Sequence, residues 1–198
     1  MGRSTKKERE GTGVSGTGNP FPIPKEREMM NQQIAIMGRG GQGILFLTRI
    51  LSECALKMDL PVIAAETHGM AQRGGSVLST VKVGGFRGPL IRSGQADILL
   101  VLDEGAMEPF GHLRSPRGEV FLNARRSELY PAIDATGLAA ASGTPLISNL
   151  VLLGFALRHR KLFCDYARVE TTVKEASPER FRESNLRALK LGFTHPLP

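Results

Sequence analysis

The chain is 198 residues long, 41% hydrophobic, and carries a formal charge of +7. That length suits one compact domain around a single good-sized core, and nothing in it calls for a second. With two Tyr, no Trp and no dense basic block, it lacks the basic-aromatic interleaving of a nucleic-acid binder, and its charge fits a basic surface facing an acidic partner.

Residues 1–30 are polar, rich in Gly, Ser and Thr, and punctuated by Pro20, Pro22 and Pro24. They read as a disordered tail ahead of a domain at 31–198, and their G-T-G repeats follow no strand, so no chemistry is assigned to them. The N-terminus lacks the apolar core of a signal peptide, and even the richest apolar run, Leu150 to Leu157, is too short to span a bilayer. Cys54 and Cys164 are the only cysteines. They cannot supply a CxxC metal site or a cluster ligand set, and as unpaired buried thiols they suit a reducing cytoplasm better than a long-range disulfide.

The apolar run Ile34 to Met37 predicts a short buried strand leading into the Gly-rich turn Gly38-Arg39-Gly40-Gly41-Gln42-Gly43. A helix follows: Ile44, Leu47, Leu51, Ala55 and Met58 recur on one face, with Arg49, Glu53 and Lys57 opposite. Glycines at such a junction open the first-turn N–H groups to an anion or a closely approaching backbone. Val62 to Glu66 is expected to close a β-α-β unit. Alternation over Ser76 to Val83 predicts a strand with one wetter face, and Phe86 to Ile91 is expected to return beside it as a hairpin arm. Ile98 to Leu102 reads as a central parallel strand with Asp103 and Glu104 at its carboxyl end, where α/β proteins bind ligands. Further on, a short helix is expected over Ala106 to Leu113, a strand at Val120 to Leu122 and a helical turn at Ala135 to Ala141. Asn149 to His159 is expected as a helix capped by Ser148 or Asn149. The last helix, Pro178 to Leu191, is expected to turn Phe181, Leu186 and Leu189 inward and to stop at Gly192. The alternation predicts one α/β domain, a mostly parallel open sheet with helices on both faces, Rossmann-like, with a β-hairpin arm.

Gly38-x-Gly40-x-x-Gly43 fits the dinucleotide fingerprint, with Glu66 placed as a ribose-binding acid, so a stand-alone nicotinamide enzyme is a rival reading, as is a nucleotide-binding scaffold. The glycines also have a plain use in tight strand-helix packing. A phosphate-binding P-loop is excluded, because no Lys-Ser/Thr follows them. The string His68-Gly69-Met70-Ala71-Gln72-Arg73-Gly74-Gly75-Ser76 is the most specific in the chain. It gathers an imidazole, an amide, a guanidinium and a hydroxyl in nine residues between flexible glycines. Singly, His68 serves equally as a turn cap and Arg73 as an ion-pair partner of Glu66 or Asp97; together they point to function.

Three strings, G-R-G-G-Q-G-I from Gly38, E-T-H-G-M-A-Q-R-G-G-S-V from Glu66 and G-Q-A-D-I-L-L from Gly94, resemble the gamma-type subunit of the 2-oxoacid:ferredoxin oxidoreductases. The version H-G-M-A-Q-R-G-G-S is most similar to the beta subunit of indolepyruvate:ferredoxin oxidoreductase, and the resemblance runs from about Gln33 to Phe193. It implies a gamma-type domain over residues 31–198 that has no activity alone and holds neither cofactor nor metal. Thiamine diphosphate, Mg and [4Fe-4S] clusters would belong to a larger partner subunit, with coenzyme A as co-substrate and ferredoxin as acceptor in an anaerobic cytoplasm. Carried over by position, Gly38, Gly40, Gly41, Gln42 and Gly43 would form a phosphate-like loop that shapes the interface or touches the nucleotide end of coenzyme A. His68, Gly69, Met70, Gln72, Arg73, Gly74, Gly75 and Ser76 would face the partner, with no catalytic acid or base among them.

Overall fold

The structure is a computed structural model that describes Met1 and residues 30–68, 75–143 and 147–196, with only the backbone at 67 and 68. The tail expected at 1–30 lies almost wholly outside the described residues.

Strands β1 (Gln32–Arg39), β2 (Val62–His68), β3 (Ser76–Val83), β4 (Ala96–Val101), β5 (Arg114–Asn123) and β6 (Ala132–Ile133) form one six-stranded sheet in the order β2-β3-β1-β4-β5-β6. From β1 through β4 and β5 to β6 the pairing is parallel, whereas β3 lies antiparallel between β1 and β2. The mostly parallel sheet is as expected. The β-α-β unit, however, is split: β2 runs in the direction of β1 but pairs only with β3.

This insertion also accounts for the missing hairpin arm. Both edges of β3 are filled by its neighbours, so Phe86 to Ile91 has no free edge to join, and Pro89 has no N–H to give a ladder. The segment instead crosses the face of the sheet as irregular chain. Thr80 Oγ1 donates to the Pro89 carbonyl at 3.1 Å and Lys82 Nζ to the Leu90 carbonyl at 3.0 Å. Thr80 and Lys82, expected on the wetter face of β3, are consequently buried.

The helices are α1 (Ile44–Lys57), α2 (Met107–Phe110), α3 (Ala135–Ala141), α4 (Ser148–Arg158), α5 (Tyr166–Ala176) and α6 (Glu179–Thr194). They cover the two faces unevenly. Ile34, Ile36, Ile98 and Leu100 point into a large core shared with α1, α3, α4, α5 and α6. Ala35, Met37, Leu99 and Val101 point the other way, against Ile91, Leu113 and the short α2. With helices on one side and α2 on the other, β1 is buried on both faces, hence its unbroken apolar run.

Helix α4 is buried all round from Ser148 to Leu157 and crosses α6 at close range. A Cβ on Gly154 would lie 2.0 Å from the Leu189 carbonyl oxygen, and one on Gly192 would lie 1.8 Å from that of Val151. Gly192 is therefore a crossing point inside α6 and not its stop. Phe181 is 45% exposed, contrary to the inward orientation expected, while Leu189 is buried. Helix α5 lies in a stretch given no element from sequence. Among the described residues no helix is long and apolar enough to cross a membrane.

Candidate functional site

The Gly-rich turn lies at the carboxyl end of β1. Gly38 and Arg39 still belong to the strand, paired with Val77 and Ser76 of β3. The chain then reverses, with Gln42 N donating to the Arg39 carbonyl at 3.2 Å and positive φ at Gly41 (91°) and Gly43 (75°). These two angles lie where glycine alone is unstrained.

The glycines divide into two kinds. A Cβ on Gly38 would come within 2.5 Å of Gln42 Oε1 and 2.9 Å of Leu102 Cβ, and one on Gly43 within 2.3 Å of Asn149 Nδ2. Those two are required by packing. At Gly40 and Gly41 a Cβ would meet nothing within 4 Å, so their backbone faces open space.

Gln42 is held within the protein: Oε1 accepts from Arg39 N at 2.7 Å and Nε2 donates to the Leu102 carbonyl at 3.2 Å, joining the ends of β1 and β4. Asn149 supports the turn from below, its Nδ2 donating to the Gly43 carbonyl at 3.1 Å. Its Oδ1 also accepts from Leu150 N at 2.8 Å within the first turn of α4, although the cap position itself is Ile147, which makes no side-chain cap bond, and not Ser148 or Asn149 as expected. Helix α1 likewise has no side-chain cap and no acid in its first turn, which leaves its N-terminal N–H groups and dipole facing outward.

Beside this turn lies the point where the sheet's connections diverge. From β1 the chain passes through α1 toward β2, whereas β4 leads through β5 to β6 on the other side. Open α/β sheets form their ligand crevice at such a point, at the carboxyl ends of the strands. The crevice here is a cleft of about 1180 Å³ lined by Arg39, Gln42, Asp103, Asn123, Arg125 and Thr136, among others. Arg39 Nε sits 3.1 Å from Asp103 Oδ2, and Asp103 Oδ1 accepts from Gly105 N at 3.0 Å. Asn123 Nδ2 donates to the Leu102 carbonyl and to Thr136 Oγ1, both at 2.9 Å. Arg125, its side chain 92% exposed, stands 3.6 Å from Asp134 and leaves most of its guanidinium turned to the cleft and solvent.

Asn123, Arg125 and Arg126 were not recognised in the sequence as cleft residues. Their signal is positional: N-A-R-R directly follows the carboxyl end of a strand.

On its other side the same turn borders an apolar trough. One hollow of about 510 Å³ is lined by Gly40, Gly41, Ile44, Leu45, Phe46 and Val77. A second, of about 280 Å³, is lined by Phe46, Ile147, Pro178 and Phe181, with Asn149 and Asn185 as its polar members. Leu45 and Phe181 remain 45% exposed at its rim.

The other sequence string reaches the same edge of the molecule. His68 closes β2 and Ser76 opens β3, Ser76 being the register partner of Arg39. Both anchors of the segment, and the half-buried Gly75, thus lie at the carboxyl edge beside the Gly-rich turn. Gly69, Met70, Gln72, Arg73 and Gly74 are outside the described residues. Glu66 pairs in register with Ser79 of β3, so a whole strand separates it from β1, about 10 Å at ordinary strand spacing. A dinucleotide ribose bound at the turn would need its acid on the neighbouring strand, and the rival nicotinamide reading loses its second anchor. Among the described residues no group of three or more His, Cys, Asp or Glu could hold a metal ion.

A family model described as pyruvate ferredoxin/flavodoxin oxidoreductase matches residues 33–195. The indolepyruvate oxidoreductase subunit IorB of Archaeoglobus fulgidus is 30% identical over 194 residues, spanning 85% of this chain and 96% of the relative. The IorB subunit of Methanothermobacter thermautotrophicus is 32% identical over 195 residues, spanning 83% and 97%. The crystal structure of a keto/oxoacid ferredoxin oxidoreductase gamma subunit from Geobacter sulfurreducens superposes with a TM-score of 0.67 at 24% identity, covering 82% of this chain and 96% of that one. The family match spans nearly all of the sheet and its helices, and the relatives are spanned almost end to end. The chain accordingly belongs to the pyruvate ferredoxin/flavodoxin oxidoreductase family, as a subunit of the 2-oxoacid:ferredoxin oxidoreductase type.

Proposed function

We propose that this chain is the small subunit of an arylpyruvate oxidoreductase, with indolepyruvate as the 2-oxoacid, and that its Gly-rich turn receives the nucleotide end of coenzyme A at the interface with a larger subunit. In that complex a 2-oxoacid anion, the coenzyme A thiol and two oxidised ferredoxins give acyl-CoA, carbon dioxide, two reduced ferredoxins and a proton. Thiamine diphosphate with its Mg, and the [4Fe-4S] clusters, are assigned to the larger subunit of a cytoplasmic complex.

The observation that carries the reading is the open backbone of Gly40 and Gly41 between a polar and an apolar hollow. The residues suit the group. Phosphates favour an uncapped helix N-terminus and nearby guanidinium groups, here those of Arg39 and Arg125, while the glycines allow close approach to the main chain. The apolar trough rimmed by Leu45 and Phe181 is a surface that a partner would cover. Two features support the aryl substrate: the H-G-M-A-Q-R-G-G-S string, and the IorB relatives at about 30% identity.

Gly40→Val tests the loop assignment in the assembled complex, because a Cβ at this position would meet nothing within 4 Å in this chain. The variant is expected to fold with a wild-type melting profile and to raise the KM for coenzyme A by about ten-fold, the equivalent of roughly 1.4 kcal/mol, with the KM for the 2-oxoacid unchanged. Unchanged coenzyme A kinetics in an intact complex would remove the nucleotide from this loop.

A further inference from the structure

One buried side chain ties the Gly-rich turn to the core. Asn149 is 4% exposed and is the second residue of a helix that is apolar from Leu150 to Leu157. A polar group so placed costs stability unless its atoms are hydrogen-bonded. Here both ends are used: Oδ1 accepts from Leu150 N at 2.8 Å, and Nδ2 donates at 3.1 Å to the carbonyl of Gly43, 106 positions away. Helix α4 needs only the first of these bonds. A serine, threonine or aspartate at its start would accept an N–H as well, so α4 alone does not call for an amide. A side chain that donates and accepts at once is needed only if it serves α4 and the turn together.

The Gly43 carbonyl also accepts from Leu47 N at 3.2 Å, the first bond of α1, so both of its lone pairs are occupied. Together the two bonds fix the plane of the peptide that joins Gly43 to Ile44. In a trans peptide the N–H points opposite to the carbonyl. Drawing the carbonyl toward Leu47 and Asn149 therefore aims Ile44 N–H the other way, out of the uncapped start of α1. The fit is close as well, since a Cβ on Gly43 would lie 2.3 Å from Asn149 Nδ2 and 3.1 Å from its Cγ. Gln42 braces the other end of the turn through Arg39 N and the Leu102 carbonyl. Loss of Asn149 thus leaves the turn attached to β4 and frees only the orientation of its last peptide.

We propose that Asn149 is a positioning residue for coenzyme A, a role that rests on the placement of the nucleotide end at this turn. It touches no substrate. By holding the Gly43 carbonyl it sets the direction in which the first N–H of α1 meets a phosphate, and it anchors that direction to α4, the most deeply buried helix of the domain.

The test is Asn149→Leu in the assembled complex, a side chain of similar volume that makes neither bond. The KM for coenzyme A should rise about five-fold, the usual worth of one hydrogen bond, with kcat and the KM for the 2-oxoacid as in wild type. In the full chain alone, amide hydrogen exchange should quicken at residues 43–47. Val173→Ala, a buried truncation on α5, is the control for lost stability and should move neither readout. Asn149→Ser replaces Asn149→Leu if the latter fails to fold, because its hydroxyl suits a helix start and is one bond short of the missing donor. A rise for coenzyme A in Gly40→Val but not in the Asn149 variant would overturn the positioning role and leave the nucleotide assignment standing. No rise in either would remove both. Equal rises for coenzyme A and the 2-oxoacid, or a fall in kcat alone, would make Asn149 a purely structural residue and overturn the proposal.

Discussion

Gln42 and Asn149 share one arrangement, a side-chain amide spent on main chain to fix the Gly-rich turn. Gln42 was legible as a member of the loop and Asn149 as a candidate cap, but their partners were not, since neither a partner strand nor a partner helix can be read from local sequence. Asn149 shows the limit plainly: its position at a helix start suggests a cap, and while its Oδ1 does accept a first-turn N–H, its Nδ2 donates to the distant Gly43 carbonyl. His159 is a different case. It lies against the rings of Phe121 and Phe155, and its Nε2 is buried with no hydrogen-bond partner. Burial lowers its pKa, Glu119 works against that, and Lys161 and Arg158 add to it. Because the folded chain resists a proton that the unfolded chain accepts, the contribution to stability is complete above the ordinary histidine value of about 6.5. It is lost as pH falls through the lower folded value. Thermal melts from pH 7.5 down to pH 5 should therefore fall less steeply for His159→Phe than for wild type; parallel slopes would contradict this.

Helices and strands were legible where periodicity was strong and obscure where a neighbour decided the outcome. Helix α1, the turn before it and α3 stand where the sequence places them. Helix α5 went unseen because Y-A-R-V-E-T-T-V-K-E-A buries only Val169, Thr172 and Val173, too thin a stripe to stand out from a polar segment. The alternation of β3 identified a strand but could not say that two neighbours would flank it, nor that Phe86 to Ile91 would cover its wetter face. The α4–α6 crossing rests on Gly154 and Gly192, the second of which looks in sequence like a helix stop. Adding a methyl group there forces the helices apart, so Gly192→Ala should cost about 3 kcal/mol in denaturant unfolding, the upper end of ordinary overpacking penalties. Gly40→Ala is the control, with an open site and a midpoint near that of wild type. Equal midpoints for the two variants would mean that the crossing is looser than described.

Across the molecule, the sheet brings to one edge the features that distinguish this chain: the Gly-rich turn, the anchors of the His68–Ser76 segment, the Arg39–Asp103 pair and an apolar trough. Of the three strings that carried the family resemblance, the first lies at that edge and the second is anchored there, whereas the third, from Gly94, enters β4 at the opposite edge and the cleft residues near the end of β5 come from a stretch without a motif. A subunit with open glycines and an uncovered apolar rim should work only when that edge is covered. The most direct measurement is anaerobic reconstitution of this chain with the larger subunit proposed to carry thiamine and the clusters, following ferredoxin reduction over a panel of 2-oxoacids. The predicted result is reduction that requires both chains and coenzyme A and is fastest with indolepyruvate. A chain that elutes alone and binds NAD, or a larger subunit equally active without it, would contradict the assignment.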